Sequence, residues 1–329
     1  MYNFCTLFNT NYLSRGLAAY YSLEKVCRDF HLYIFAFDDQ TYNILNKLNL
    51  LHATIISLKQ FEDNDLLRVK GDRTIAEYCW TATPATIYYV LKNYNVESCT
   101  YIDADVYFYS SPKVIFDELG DKSILITEHR FSPEYSKDEQ ENGKYCVQFI
   151  TFKNDVCGLK VLTWWKDQCI IWCYNRHEDG KFGDQMYLND WTTRFKKVHV
   201  LKHLGAGLAG WNISQYQFYK NKEKFYGVEI ASGWEFNVVF YHFHYLKFYT
   251  NGKLDLGPRI ISNNAKESFY KPYLKELDEI KRKVKALNPG IDPHGIEKQT
   301  YNWRTPLRYL KRKLFGLHNV FSLKDFLKS

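Results

Sequence analysis

In the first half of the chain, short apolar runs alternate with longer stretches whose apolar residues recur at helical spacing. Residues 3–8 form one such run, and Leu13, Leu17, Tyr20 and Leu23 follow three or four positions apart, one face of a helix. Residues 31–37 predict a second strand, ending at the polar pair Asp38-Asp39, and residues 53–57 a third. A long helical segment over 74–93 leads into a strand at 98–102, and the runs at 123–127 and 145–152 predict two more. Strands alternating with helices in this way imply an α/β fold with a Rossmann-type, mostly parallel sheet flanked by helices. Right-handed crossovers in such a sheet bring ligands to the carboxyl ends of the strands.

The second half predicts a Trp- and Leu-rich helix over 158–174, a short helix over 182–191 and an aromatic strand over 237–245. After Asn251-Gly252 the character changes. Leu274, Leu277, Ile280, Val284 and Leu287 make a single helical stripe that Asn288-Pro289-Gly290 ends, and the last 40 residues predict one or two basic amphipathic helices. The expected organisation is a catalytic α/β domain over residues 1–250 and a helical, basic C-terminal extension over 251–329.

Composition adds three points. The aromatic share is high, 18%, with 27 Tyr, 23 Phe and 8 Trp; most rings fill a core, and the remainder suit stacking on sugar faces. The net charge of +7 is concentrated at the end, where residues 301–329 hold seven Lys or Arg against Asp325 alone. Such a tail either attracts an anionic membrane surface or is a solvated helical face, and no nucleic-acid-binding module accompanies it. The eight cysteines form no C-x-x-C pair, so a zinc site is not expected. With neither a signal-peptide pattern nor 18 uninterrupted apolar residues, the expectation is a cytoplasmic protein, peripheral at the inner face of the plasma membrane.

Tyr101-Ile102-Asp103-Ala104-Asp105 carries the central chemistry. Carboxylates at i and i+2 on extended chain point to one side, where they can share a hard cation whose oxygen shell a nucleoside diphosphate completes. A D-x-D pattern alone is weak, since composition yields about one by chance. Asp63-Asn64-Asp65 is a second example, read as a loop because no strand precedes it, whereas Asp103 and Asp105 close an apolar strand. The G-x-G-x-x-G run over residues 205–210 lies late and opens no amphipathic helix, so its glycines are read as allowing close backbone approach to a bound sugar or diphosphate.

Further blocks stand in order along the chain: Phe8-Asn9-Thr10-Asn11-Tyr12 after the first strand, Arg73 before Tyr78-Cys79-Trp80-Thr81, Phe182-Gly183-Asp184-Gln185, and Tyr241-His242-Phe243. With the acidic pair, these resemble the nucleotide-diphospho-sugar transferases of the GT-A fold. The style is that of bacterial surface-polysaccharide enzymes and, more distantly, of glycosyltransferase family eight. The resemblance spans residues 1–250. It implies a metal held by Asp103, Asp105 and His242 or His244, and donor contacts from Asn9, Thr10, Tyr12, Arg73 and Asp103. It also implies that Asp184 and Gln185 act at the reaction centre. Two departures stand out: the family's N-x-G segment is Cys146-Val147-Gln148, with Gln148 a substitute donor contact, and H-F-x-G is His242-Phe243-His244-Tyr245. Lys247 is a further candidate for the donor phosphates, and Trp191, Trp211 and Asn212 are acceptor candidates. A histidine in the set suits Mn²⁺ over Mg²⁺.

The implied activity is transfer of a hexose, UDP-linked and with retention, to a saccharide or lipid-linked acceptor in surface polysaccharide or lipopolysaccharide synthesis. Two alternatives are a sugar-nucleotide pyrophosphorylase and an inactive sugar-binding protein of the same fold.

Overall fold

A computed structural model describes residues 1–328. In chain order its first strands are β1 (Tyr2–Phe8), β2 (Phe30–Ala36), β3 (Ala53–Ser57), β4 (Ser98–Ile102), β5 (Val106–Phe108), β6 (Ile124–Glu128), β7 (Tyr145–Lys153) and β8 (Val198–Val200). All but β5 form one sheet in the order β3-β2-β1-β4-β7-β6-β8. Six of these strands run one way; β7 alone is antiparallel to its neighbours β4 and β6. This is the mostly parallel, helix-flanked α/β sheet expected from the alternation of runs.

The flanking helices form where the sequence supplies caps and apolar spacing. Helix Ile75–Asn93 opens with a capping box in which Thr74 and Glu77 satisfy each other's backbone amides. Asp38 caps helix Asp39–Leu48, and Asp155 caps helix Val156–Ile171. The sheet separates two hydrophobic cores. One is built on helices Ile75–Asn93 and Val156–Ile171, with Trp165 and Trp191 fully buried. The other joins Phe4, Leu17 and Phe149 to Leu254, Phe269, Leu274, Leu277 and Val284, so the helix Lys271–Leu287 closes the same core as the N-terminal strands.

The second half departs from its expected elements. Residues 182–191 are not a helix: Gly183 turns the chain at φ +54°, and only 3₁₀ helix Met186–Leu188 and the short helix Trp191–Arg194 follow. Asp63-Asn64-Asp65 is not a loop; Asp63 caps helix Asn64–Lys70 through the amide of Leu66. The strand expected over 237–245 is only three residues long. After β9 (Leu208–Ala209) come the antiparallel β10 (Tyr216–Asn221), β11 (Lys224–Glu229) and β12 (Glu235–Asn237), then β13 (Phe240–His242). The extension is mainly helical, with helices Lys271–Leu287, Thr305–Leu314 and Leu323–Lys328. It also contributes two strands to a small antiparallel sheet: β14 (Lys247–Phe248), just before residue 251, pairs with β15 (Lys253–Asp255), which pairs with β16 (Val320–Ser322). Among the described residues no helix is long and apolar enough to cross a membrane.

Candidate metal centre

The acidic pair sits where β4 leaves the sheet. The Asp103 amide donates to the Gln148 carbonyl on β7, continuing the ladder by one residue. A tight turn, closed by the Val106 amide on the Asp103 carbonyl, then feeds β5. β5 pairs antiparallel with β13, placing Val106 opposite His242, and the Phe243 amide donates to the Asp105 carbonyl. This register brings the imidazole over the carboxylates: His242 Nε2 lies 3.0 Å from Asp105 Oδ1 and 3.6 Å from Asp103 Oδ2.

The three side chains offer ligand atoms within 4.8 Å of one another, a donor set that fits one divalent cation. The far side of the ring supports the fit. Gln148 Oε1 lies 2.8 Å from His242 Nδ1, and a proton held there leaves the Nε2 lone pair directed at the carboxylates. His244 lines the same cavity without joining the set, because β13 ends at His242 and the chain turns away. Of the two histidines singled out in the sequence, the structure therefore brings only His242 to the acidic pair.

Electrostatics tie the three together. Burial would raise the Asp105 carboxyl, but His242 outweighs it by charge and hydrogen bond, with help from His244 and Arg15, and holds the group down to about 2. Asp103, chiefly through loss of water, is pushed up to about 6 despite the pull of His242. Burial would lower the imidazole, yet Asp105 keeps it well above its ordinary value, so without a cation the site is a charged His–Asp pair.

The triad opens into a cavity of about 520 Å³ that Asp103 and His242 share with Asp184, Gln185 and Trp211. Asp184 is 6% exposed; burial first, then the charge of Asp103, pushes its carboxyl up to about 8. Gln185 donates from Nε2 to the Asn142 carbonyl at 2.7 Å. The Trp211 ring stands edge-on to His242 at 5.4 Å, anchored by its Nε1 on the His129 carbonyl.

Other expected site residues are placed elsewhere. Trp191 is fully buried against Phe152 and Trp165, with no surface to offer an acceptor. Asn212 is also fully buried; its oxygen accepts from the Ala209 amide and its amide donates to the Gly207 carbonyl within a turn, and also to the distant His129 carbonyl. Gln148 lies behind His242 with no exposed surface, so it orients the imidazole and does not reach a donor sugar. Arg73 stacks on Tyr174 at 3.8 Å and donates to the Ile170 carbonyl, outside the cavity lining. Lys247 is paired with Glu297 at 2.9 Å and lines a different cavity.

In the N-terminal block, Asn9 Oδ1 accepts from the Asn11 amide, and Thr10 is bound through both amide and hydroxyl to Asp38. Tyr12 stays 44% exposed, close enough to Asp105 and Asp103 to feel their charge. The Gly-rich run approaches protein rather than ligand: a Cβ on Gly205 would lie 1.8 Å from the Asn237 carbonyl oxygen. Arg259, a lining residue that carried no sequence signal, enters from the C-terminal segment, held by Asp138 at 2.6 Å. Tyr245, which stands where H-F-x-G has its glycine, is held at φ +72°.

The fold and site define an α/β protein with a two-carboxylate, one-imidazole centre at the carboxyl ends of its parallel strands. The chain belongs to the family of two Bacillus subtilis (strain 168) proteins, the uncharacterized proteins YfnD and YfnF. It is 30% identical to YfnD over 305 residues, 90% of this chain and 96% of YfnD. To YfnF it is 30% identical over 298 residues, 88% of this chain and 93% of YfnF. No family model matches.

Solved structures that it resembles are glycosyltransferases of the GT-A type. The galactosyltransferase LgtC, solved with donor and acceptor sugar analogs, aligns with TM-score 0.49 and 12% identity over 84% of this chain and 95% of its own. GlyE of Streptococcus pneumoniae TIGR4 aligns at 0.44 and 14% identity over 65% of this chain and 48% of its own. Mouse xyloside xylosyltransferase 1 aligns at 0.40 and 13% identity over 61% of this chain and 85% of its own.

Proposed function

We propose that this protein is a divalent-cation-dependent glycosyltransferase. It would move a hexosyl group from a nucleoside-diphosphate donor, UDP-linked, to a saccharide or lipid-linked saccharide of a surface polysaccharide, with retention at the anomeric carbon. The observation that carries the reading is the convergence of Asp103, Asp105 and His242 in a cavity shared with Asp184 and Gln185. These three would hold the cation, Mn²⁺ in preference to Mg²⁺ because of the imidazole. When bound, it neutralises the charge that builds on the departing diphosphate.

The chain's own residues supply orientation. Gln148 holds the Nδ1 proton of His242 and so keeps Nε2 facing the acidic pair. Asp184 and Gln185 offer a carboxyl and an amide to the hydroxyls around the anomeric carbon, fixing the sugar against the diphosphate. Trp211 and Phe131 supply ring surface in the same cavity, suited to a sugar face. Arg259 takes the place of Arg73 as the basic residue nearest the donor.

In our reading residues 1–250 carry catalysis and residues 251–329 bring the enzyme to its acceptor at the inner membrane face. On helix Thr305–Leu314, Leu307, Leu310 and Leu314 are all more than half exposed, flanked by exposed Trp303 and Phe315 and by Arg304, Arg308 and Lys313. An apolar stripe edged with cations suits the interface of an anionic bilayer.

The test is hydrolysis of UDP-hexoses with Mn²⁺ and with EDTA. Mn²⁺ should stimulate turnover in the wild type, and Asp105→Asn should remove that stimulation while leaving the melting curve cooperative. Turnover indifferent to EDTA would sink the metal role. The anomeric coupling in the product's proton NMR spectrum decides retention, which a β-linked product from an α-linked donor would refute.

A further inference from the structure

We propose that a second cavity, formed where the C-terminal extension meets the segment after the metal centre, is a phosphate-binding subsite for the acceptor. Its volume is about 430 Å³. One wall is helix Thr305–Leu314, which presents Arg308, Lys311 and Arg312 at i, i+3 and i+4, a single face. The opposite wall carries Lys247 and Lys298.

These five cations face two acids, Asp255 and Glu297, and both acids are already engaged. Arg312 grips Asp255 through two hydrogen bonds of 2.7 and 2.8 Å, and Lys247 pairs with Glu297. Among the described residues Lys298, Arg308 and Lys311 have no ion-pair partner, although all three converge on one concave space. Like charges so gathered repel one another, and an anion between them relieves that repulsion. A phosphate, with its several acceptor oxygens and charge near −2, matches a forked guanidinium flanked by two ammonium groups.

Position assigns the phosphate to the acceptor. Tyr245 lines both this cavity and the metal-centre cavity, and the neighbours Pro258 and Arg259 face one each. The Tyr245 backbone is held at φ +72°, a conformation tyrosine rarely adopts, with its ring packed on Gly257. A Cβ on Gly257 would lie 3.1 Å from that ring, so the partition between the cavities is built of two mutually fitted residues. The outer stripe of the same helix is the apolar one, with Leu307, Leu310 and Leu314 exposed. The helix thus turns leucines to a bilayer and cations to a phosphate that would lie beside the reacting sugar. That the phosphate belongs to an acceptor rests on the transferase reading; that the cavity takes phosphate does not.

The experiment measures inorganic pyrophosphate binding by calorimetry in EDTA, which silences the metal centre. Wild type and Asp105→Asn should bind alike, and the double variant Arg308→Gln/Lys311→Gln, both exposed positions, should bind roughly tenfold more weakly or worse. Two further probes identify the source: farnesyl diphosphate in phosphatidylcholine vesicles and free glucose 1-phosphate. Whichever binds more tightly than pyrophosphate, and loses that advantage in the double variant, reports the kind of acceptor. If neither does, the acceptor assignment is overturned. Binding that Asp105→Asn abolishes, or that the double variant leaves untouched, overturns the subsite itself and leaves the transferase reading standing. Absent Mn²⁺-stimulated donor hydrolysis sinks that reading without touching the pyrophosphate result.

Discussion

Gln148 offers the sharpest test of how the candidate metal centre is built. Its side chain is fully buried, its Oε1 sits 2.8 Å from His242 Nδ1, and its Nε2 has no hydrogen-bond partner. Gln148→Leu keeps much of the bulk and removes the acceptor. The imidazole then loses the contact that keeps its proton on Nδ1, and the tautomer with the proton on Nε2, facing the carboxylates, becomes accessible. Loss of such an orienting partner typically costs 10–100-fold in metal affinity, about 1.4–2.7 kcal/mol. The fold should suffer less, about 1 kcal/mol, because the variant also removes an unpaired buried amide nitrogen. Isothermal titration with Mn²⁺ reads the first quantity and a urea melt the second. Gln148→Glu restores an acceptor and should recover affinity. A leucine variant with wild-type affinity, or a glutamate variant binding worse than leucine, would refute the orienting role. Because His242 is protonated in the cation-free site, binding must also displace that proton, so affinity should climb with pH until the imidazole is neutral.

Three further outcomes follow from burial and charge. Asp184 keeps its proton up to about pH 8 in the folded protein, whereas an unfolded aspartate ionises near 4. Between those values the native state binds the extra proton, so cation-free stability should fall as pH rises, by up to about 1.4 kcal/mol per unit, and Asp184→Asn should flatten the slope of urea midpoints against pH. Arg312→Ala strands the buried Asp255 and should destabilise by about 3–5 kcal/mol, seen as a lower Tm; a shift under 1 °C would contradict the pairing. Trp191→Ala empties a fully buried position and should cost about 3–5 kcal/mol, whereas a stable variant with a raised acceptor KM would restore Trp191 to the acceptor site.

Much of residues 1–250 was legible as pattern. Strands and their flanking helices repeat a local alternation, and caps such as Thr74 with Glu77 lie within four residues, so a linear reading finds them. The acidic pair was legible for the same reason, since apolar run, carboxylate, small residue and carboxylate are contiguous. Irregular backbone defeated that reading. The 182–191 segment has helical composition, but Gly183 at positive φ and the demands of a cavity wall prevent a helix. Trp191 and Asn212 looked like sugar contacts because rings and amides are the same residue types whether they fill a core or face a ligand.

What the sequence determined by itself was the order of elements, the carboxylates at a strand end and an amphipathic, cationic helix within the last 40 residues, because each depends on residues a few positions apart. Which histidine meets those carboxylates, and what Gln148 does, were decided by the pairing of β13 with β5 and of β7 with β4, contacts between residues 47 to 136 positions apart. The second cavity likewise exists only because residues 245–258 and 297–317 fold against each other. Burial and register are properties of the packed chain, and no local pattern encodes them.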